Sequence, residues 1–326
     1  MKLWNRIILL FVLLVAIPYY WLLVDARTGS VPAKPIDIVA LRRAAQDVPG
    51  QKPVAIEYAA VAARRAPGAA LVAGGGLKRD LIGIVAYRLV SPGGDILIDS
   101  GLSQAQAHDM GIDLWKGPAQ ARVNGWMDSA RLILFTHEHP DHVGGFLASP
   151  HFARIAPKAV ILPEMIAGIK EVAASRVAGL PKPLHYGEYA AVAPGVVLMR
   201  TPGHTPGSQM IFVQLQDGRE YLFTGDTASM ARNVGWVRPR SHLVSDWIAP
   251  EDRGATIGWI KGLSDLARRN PRLTLVYSHD LAWLQSGRRG PGFHTDFLWT
   301  TTPEDRDPLD EETPAAAPAG NANAIK

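Results

Sequence analysis

The segment "LILFTHEHPDHVGG", Leu132 to Gly145, places His137, His139 and His142 with Glu138 and Asp141 inside six consecutive positions. The whole chain of 326 residues holds only 10 histidines, so this density is out of proportion. A solvated loop gains nothing from it, and an apolar core would have to satisfy every ring nitrogen. Leu132 to Phe135 is a short apolar run of the kind that forms a buried strand. Residues 141–148 read as a helix, and "PEMIAGIKEVAASR" (163–176) as another with Pro163 in its first turn. The histidines therefore fall in one strand-to-helix loop. A His-x-His pair lets alternate side chains meet one cation, while the adjacent Asp-His pair can face another.

Other ligand-type residues also stand at strand ends. "GVVLMRT" (195–201) reads as a strand that runs into "TPGHTPGS", carrying His204. "QMIFVQLQDGREYLFTGD" reads as a hairpin turning at Asp217-Gly218, with Asp226 following its second strand. "LTLVYSHD" (273–280) reads as a last strand ending on His279. Strand ends on one rim converge and are rigid enough to hold ligands. Five histidines and two aspartates suit two metal ions better than one. The chain contains no cysteine, so disulfides and thiolate ligands are excluded. Isolated, His279 could equally be a hydrogen-bonded strand-end histidine. Glu138 fills a variable slot and is expected to be solvated, and Asp280 to cap a turn. His108, His151, His185, His242 and His294 lie outside the pattern.

The order HxHxDH, TPGHTPGS, FTGDT and SHD resembles the metallo-β-lactamase superfamily of metallo-hydrolases, over roughly residues 54–285. The resemblance implies a four-layer αββα sandwich of two mixed β-sheets flanked by helices. It implies two Zn2+ ions, with other divalent transition metals fitting the same donors. His137, His139 and His204 would bind one ion, and Asp141, His142 and His279 the other. Asp226 would bridge them, with a hydroxide held between. Asp141 and Asp226 are thus the catalytic carboxylates, Asp141 orienting the nucleophile and moving its proton. Asp99 in "LIDSG" would orient a ligand through a hydrogen bond, the competing reading being a turn-former before Ser100-Gly101. Thr227 would orient another through its hydroxyl.

A bridging aspartate and the absence of cysteine lead toward the lactonase, glyoxalase-II-like and phosphodiesterase branch rather than the β-lactamases. Only a short segment follows His279, which weakens a glutathione-type helical domain. The expected function is metal-dependent hydrolysis of an ester, lactone or thioester. The alternatives are a phosphodiesterase, a β-lactamase or a non-catalytic metal-binding member. Related lactonases often carry a tyrosine three residues after the bridging aspartate; here that position is Ser229. The loop "NVGWVRPRSHLVSDW" (233–247) is the candidate pocket wall, with Trp236 and Trp247 offering apolar contact and Arg238 an anion or carbonyl contact. Arg238, Arg240, Arg288 and Arg289 otherwise read as solvated surface.

The N-terminus carries a separate message. Lys2 and Arg6 precede Ile7 to Val24, which contains no charged residue. As a helix that run spans about 27 Å, close to a bilayer's hydrocarbon core. Tyr19, Tyr20 and Trp21 suit an interfacial belt, and the two basic residues favour a cytoplasmic N-terminus. Residues 1–26 are read as an uncleaved transmembrane anchor, with a cleaved signal peptide as the alternative. Either leads to export, with the catalytic domain on the periplasmic side or secreted. Residues 27–53 read as a linker with one helix, 54–301 as the hydrolase domain, and the acidic, Pro- and Ala-rich 302–326 as a disordered tail. Net charge is +4 with basic residues scattered, so a small-molecule substrate is expected and nucleic acid is not.

Overall fold

The computed structural model describes residues 2–301, and the tail at 302–326 lies outside the described residues. Two five-stranded sheets lie face to face. The first is built from β1 (Ala55–Pro67), β2 (Arg79–Val90), β3 (Ile96–Ile98), β4 (Leu114–Trp115) and β5 (Leu132–Leu134), in the order β4-β1-β2-β3-β5. The second takes β6 (Tyr189–Ala193), β7 (Val196–Arg200), β8 (Gln209–Gln214), β9 (Glu220–Phe223) and β10 (Leu273–Val276), in the order β10-β9-β8-β7-β6. Pairing is antiparallel except for β3 with β5 and β9 with β10, which are parallel.

Strand composition follows from this layering. Val196 and Leu198 of β7 face the other sheet and pack in one core with Tyr87, Leu89, Ile98, Leu134, Ile211 and Phe223. Their neighbours Val197 and Met199 face outward, yet are buried against Leu263 and Leu266 of the helix Arg253–Arg269. A strand covered on both faces must be apolar throughout, which explains the unbroken Val-Val-Leu-Met run. On the other flank Val123, Met127, Val143, Phe146 and Ile169 come from helices and cover Leu97 and Ile133. Helix, sheet, sheet and helix make the expected αββα sandwich.

The structure departs from the sequence reading in three places. The run "AVILP" (159–163) reads in sequence as a brief buried strand, yet it makes a single parallel bridge from Ala159 to Ile133, because prolines at 157 and 163 leave no room to extend a ladder. A helix not foreseen, Gly117–Ser129, packs Ala119, Val123 and Met127 inward. The stretch 27–53, read as a linker, is no free tether. Its helix Ile38–Ala44 buries Leu41 completely, Lys34 N–H donates to Gly258 O (2.9 Å), and Arg42 pairs with Glu220 (2.7 Å).

One packing detail positions the site. Helix Pro140–Ala148 carries Gly144 and Gly145 in its middle, each about 1 kcal/mol worse than alanine in a helix interior. A Cβ on Gly145 would strike the Ser100 carbonyl oxygen, and one on Gly144 would press on the Gln106 side chain. Bare backbone instead lets the helix close onto the loop after β3. There Gly145 N–H donates to Gly101 O (2.9 Å), and Ser100 N–H and its Oγ–H both donate to His142 O (2.8 Å each). The contact fixes the start of the helix against Asp99.

The N-terminal helix Leu3–Tyr19 continues as a wider turn to Val24. Within these 22 residues an 18-residue window reaches mean hydropathy 2.7, and none of that window is buried. The helix is long and apolar enough to cross a membrane.

Candidate metal centre

Each residue nominated from the sequence stands just beyond the carboxyl end of a strand or at a helix start. His137 and His139 follow β5, Asp141 and His142 lie in the first turn of helix Pro140–Ala148, and His204 follows β7. Asp226 lies in a short turn after β9, and His279 follows β10. The fold gathers all seven into two groups. His137, His139, His204 and Asp226 form one, and Asp141, His142 and His279 the other. Within each group the potential ligand atoms lie within 4.8 Å of one another.

Asp226 stands between the groups. Its Oδ2 lies 3.5 Å from His204 Nε2 and 3.9 Å from His137 Nε2. Its Oδ1 lies 3.4 Å from His142 Nε2 and 2.9 Å from His279 Nε2. In the first group His139 Nδ1 is 3.1 Å from His137 Nε2 and 3.0 Å from His204 Nε2. Three ring nitrogens so close resemble three corners of a tetrahedron around an ion with bonds of about 2.0–2.1 Å. In the second group His142 Nε2 is buried without a hydrogen-bond partner and lies 3.7 Å from Asp141 Oδ2. An orphaned buried ring nitrogen beside two carboxylates fits a cation. The residues present therefore fit a pair of divalent metal ions.

Electrostatics separates the two halves. Burial, helped by neighbouring imidazoles, holds His137 well below the usual histidine range. His204 is likewise held low by burial and by the Arg240 charge. Both are neutral, the form that ligates. Burial also opposes charge on His142 and His279, but carboxylates outweigh it: Asp141, Asp99 and Asp226 lift His142 well above its ordinary value, and Asp226 lifts His279. Burial would raise Asp226, yet His279 and Arg240 hold it well below the carboxylate range. The second group thus sits in a negative field that favours a cation.

The ring nitrogens facing away from the centre are held as well. Asp99 Oδ2 lies 2.9 Å from His142 Nδ1, and its Oδ1 accepts from Thr136 N–H at 2.8 Å. Asp99 takes a left-handed backbone (φ 60°), which Asp adopts more readily than most residues. His279 Nδ1 lies 2.8 Å from Gly83 O, and His204 Nδ1 lies 2.9 Å from Glu251 Oε2. Such partners fix ring orientation and leave the other nitrogen free for metal.

A model of the metallo-beta-lactamase superfamily matches residues 79–279, which includes every residue of both groups. The chain belongs to the metallo-beta-lactamase superfamily. It is 26% identical over 227 residues to the N-acyl homoserine lactonase AiiA of Bacillus thuringiensis subsp. kurstaki, covering 64% of this chain and 85% of that one. It is 36% identical over 182 residues to a hydroxyacylglutathione hydrolase of a Polaromonas species, covering 52% and 61%. Among solved structures, a quorum-quenching N-acyl homoserine lactone lactonase superposes with a TM-score of 0.58 at 17% identity, over 74% of this chain and 98% of that one. An N-acyl homoserine lactone hydrolase bearing N-hexanoyl-L-homoserine at its catalytic metal centre gives 0.55 at 17%, over 70% and 94%. Within the superfamily the chain is a metallo-hydrolase.

Against this family background the surroundings of the centre hold corrections. Thr227 is buried beside Asp226, but the hydroxyl that donates to Asp226 Oδ1 belongs to Ser278 (2.6 Å), which approaches from the end of β10. Arg238 turns away from the centre: it lies over Trp236 at 5.2 Å and its Nη1 approaches the carbonyls of Ala73 and Gly74. Arg232 also lies over the Trp236 ring, at 5.4 Å. Arg240, read as surface, is the guanidinium that enters: it is 5% exposed and donates from Nη2 to Asp226 Oδ2 (2.6 Å) and Ser229 Oγ (2.7 Å). Trp247 is 70% exposed. Glu138, expected in solvent, is buried and accepts from Thr205 Oγ1 (2.8 Å) and Gly207 N–H (3.2 Å), tying the two histidine loops together. Asp280 does cap a turn, accepting from Trp283 N–H (3.1 Å). Arg240 and Glu251 belong to an irregular loop with no spacing signal; the nearest hint was "PED" before a helix, and there it is Asp252 that caps.

Proposed function

We propose that this chain is a dinuclear metal-dependent hydrolase that opens a lactone or cleaves a related carboxylic ester, and that Leu3–Val24 anchors it to a membrane. The single observation that carries the catalytic reading is Asp226, which stands between the two ligand groups: its Oδ2 lies 3.5 Å from His204 Nε2, and both its oxygens lie near His279 Nε2, at 2.9 and 3.1 Å. His137, His139 and His204 would hold one ion, Asp141, His142 and His279 the other, and Asp226 both. Zinc or similar divalent ions held there would supply Lewis acidity, which lowers the pKa of a water and polarises a carbonyl. The chain's own residues then position and move protons. Asp141, at the more open edge of the centre, accepts the proton of the attacking water and returns it to the departing alkoxide. A C–O bond forms at the carbonyl carbon, the ring or ester C–O bond breaks, and the products are a carboxylate and an alcohol. Arg240 supplies a fixed positive charge at the position left by Ser229, where it can meet the developing oxyanion or the carboxylate product.

The likeness to acyl homoserine lactonases over most of their length supports a lactone. A thioester is the second reading, supported by 36% identity to a hydroxyacylglutathione hydrolase. The absence of cysteine argues against the thiolate-using β-lactamases. Lys2 and Arg6 before the apolar helix support a cytoplasmic N-terminus, with the hydrolase domain on the far side of the membrane. The test is metal analysis of unchelated protein, with turnover on acyl homoserine lactones, aryl esters, an acyl thioester, a phosphodiester and a β-lactam, repeated with Asp226→Ala. Lactone or ester turnover that Asp226→Ala abolishes is expected. Metal-free protein, or faster cleavage of the β-lactam than of any ester, would overturn the reading.

A further inference from the structure

The loop 240–253 forms one wall of the metal centre and also joins the end of the apolar N-terminal helix. Arg240 and Glu251, near its two ends, touch Asp226 and His204. Arg253 closes the loop by donating to the Arg240 carbonyl and to Ser245 Oγ, and its other nitrogen reaches Asp25 O at 3.2 Å, just past the helix end. The Trp21 ring stacks on His242 at 4.9 Å and 15°. Gly74 N–H donates to Leu23 O at 2.8 Å, and the short helix Gly68–Leu71 packs against both the helix end and the loop. The end of the N-terminal helix is thus fixed to the domain, and fixed at this loop.

Between its buried ends the loop turns apolar side chains outward: Leu243 is 36% exposed, Trp247 70% and Ile248 66%. Leu77, 62% exposed, follows in sequence the turn whose Ala73 N–H donates to Pro239 O, and is itself followed by the basic Lys78 and Arg79. Contiguous apolar surface of this kind marks a contact site on a soluble domain. What covers it is indicated by its height relative to the helix. Tyr19, Tyr20 and Trp21 stand near the end of the apolar span, and such aromatic belts lie at the membrane–water boundary. Because Trp21 stacks on His242, the residue next to Leu243, the exposed residues begin at the level of that belt.

We propose that Leu243, Trp247 and Ile248, together with Leu77, form a second membrane contact that enters the headgroup region of the bilayer. The contact holds the metal centre at the membrane surface. Leu243 and Ile248 are each three residues from a side chain that touches the centre, a backbone reach of about 11 Å at most. The face therefore fits an amphiphilic substrate whose acyl chain stays in the lipid while its ester or lactone head reaches the metals. The inference rests on the anchoring proposed above and not on the identity of the reaction.

The test uses the full chain in vesicles of phosphatidylethanolamine and phosphatidylglycerol. Because the protein has no cysteine, Trp247→Cys and Ile248→Cys each give a unique site for an environment-sensitive fluorophore. Leu13→Cys reports insertion of the helix, and Leu114→Cys on the edge strand β4 reports the domain surface. At 247 and 248 we expect blue-shifted emission, loss of fluorescence with nitroxide-bearing lipid and resistance to iodide, with the reverse at 114. If the label at 13 is quenched by the lipid nitroxide but those at 247 and 248 only by iodide, the second contact is refuted and anchoring stands. Labels at 247 and 248 shielded from both quenchers would place a second copy or the protein's own loop there, which also refutes it. A label at 13 that the lipid nitroxide does not quench removes the anchor and this proposal together, while metal content of the same sample reports on the hydrolase reading independently.

Discussion

Asp99 offers the sharpest test of how the second ligand group is held. Its carboxylate faces His142 Nδ1 at 2.9 Å and accepts from Thr136 N–H and Oγ1, while its backbone sits at φ 60°. The side chain and the backbone can be varied separately. Asp99→Asn keeps a residue that tolerates the left-handed backbone and an oxygen for Thr136, but removes the charge. With Nε2 committed to metal, His142 Nδ1 carries a proton, and an amide nitrogen turned toward it would oppose donor to donor. Losing a buried hydrogen bond to a charged group costs about 1.5–3 kcal/mol, in line with the roughly 10–100-fold loss of metal affinity seen when such orienting partners are removed. Asp99→Ala suffers the same loss plus about 1–2 kcal/mol for a Cβ at positive φ, a penalty that Asp99→Gly escapes. The assay is competition with a chromophoric chelator on each variant, beside thermal unfolding of the metal-free forms. Metal affinity should fall in all three variants, while metal-free stability should be higher for Asp99→Gly than for Asp99→Ala. If Asp99→Asn held metal as tightly as the parent and retained its turnover, Asp99 would be a turn-former only and the positioning argument would fail.

Arg240→Ala should lower kcat/KM by about 10–150-fold, the equivalent of about 1.5–3 kcal/mol for a hydrogen bond to a charged group, with metal content by mass spectrometry unchanged. Chelation should abolish turnover and lower Tm, and re-addition of metal at about 100 times its Kd should restore about 2.7 kcal/mol of stability, read by chemical denaturation. Glu138→Ala should cost about 1–3 kcal/mol by stranding Thr205 and Gly207 N–H, whereas Glu138→Gln should keep most of that, as denaturant midpoints would show. Burial raises the Tyr58 hydroxyl to about 12 from an ordinary value of 10.0, and it also pushes the Tyr87 hydroxyl well up. Tyrosines raised in the folded state leave stability intact below about pH 10 and lower it above. Alkaline unfolding should therefore start above pH 10 and shift upward in Tyr58→Phe, followed by tyrosinate absorbance.

The metal-binding half of the site was legible because its signals are local and repeated. Three histidines in one loop need a purpose, and each remaining ligand follows an apolar run short enough to be a strand. The residues that orient them were not. Arg240, Glu251 and Ser278 come from an irregular loop and a strand end, where no period tells which side chain points inward. Choosing Arg238 over Arg240 is the kind of two-residue error that such a loop invites. Glu138 was misjudged because a charged residue between two ligands looks exposed, whereas its burial depends on Thr205 and Gly207 arriving from a distant strand. The helix Gly117–Ser129 does space Ala119, Val123, Trp126 and Met127 three and four apart, but glycine, glutamine and asparagine around them mask the pattern. The strand β1 reads AIEYAAVAARRAP, rich in a helix-forming residue, and is held extended by its long register against β2.

The two parallel pairs, β3 with β5 and β9 with β10, have a consequence for how the protein acquires its ions. One pair delivers Asp99 and His137, the other Asp226 and His279, from opposite halves of the chain. Neither half alone presents a full donor set, so a nascent chain has no strong site until both layers have docked. On the proposed dinuclear reading, metal uptake would then be a late event that locks the finished sandwich rather than seeding it. Loss of the ions should loosen the seam between the two sheets before either sheet comes apart.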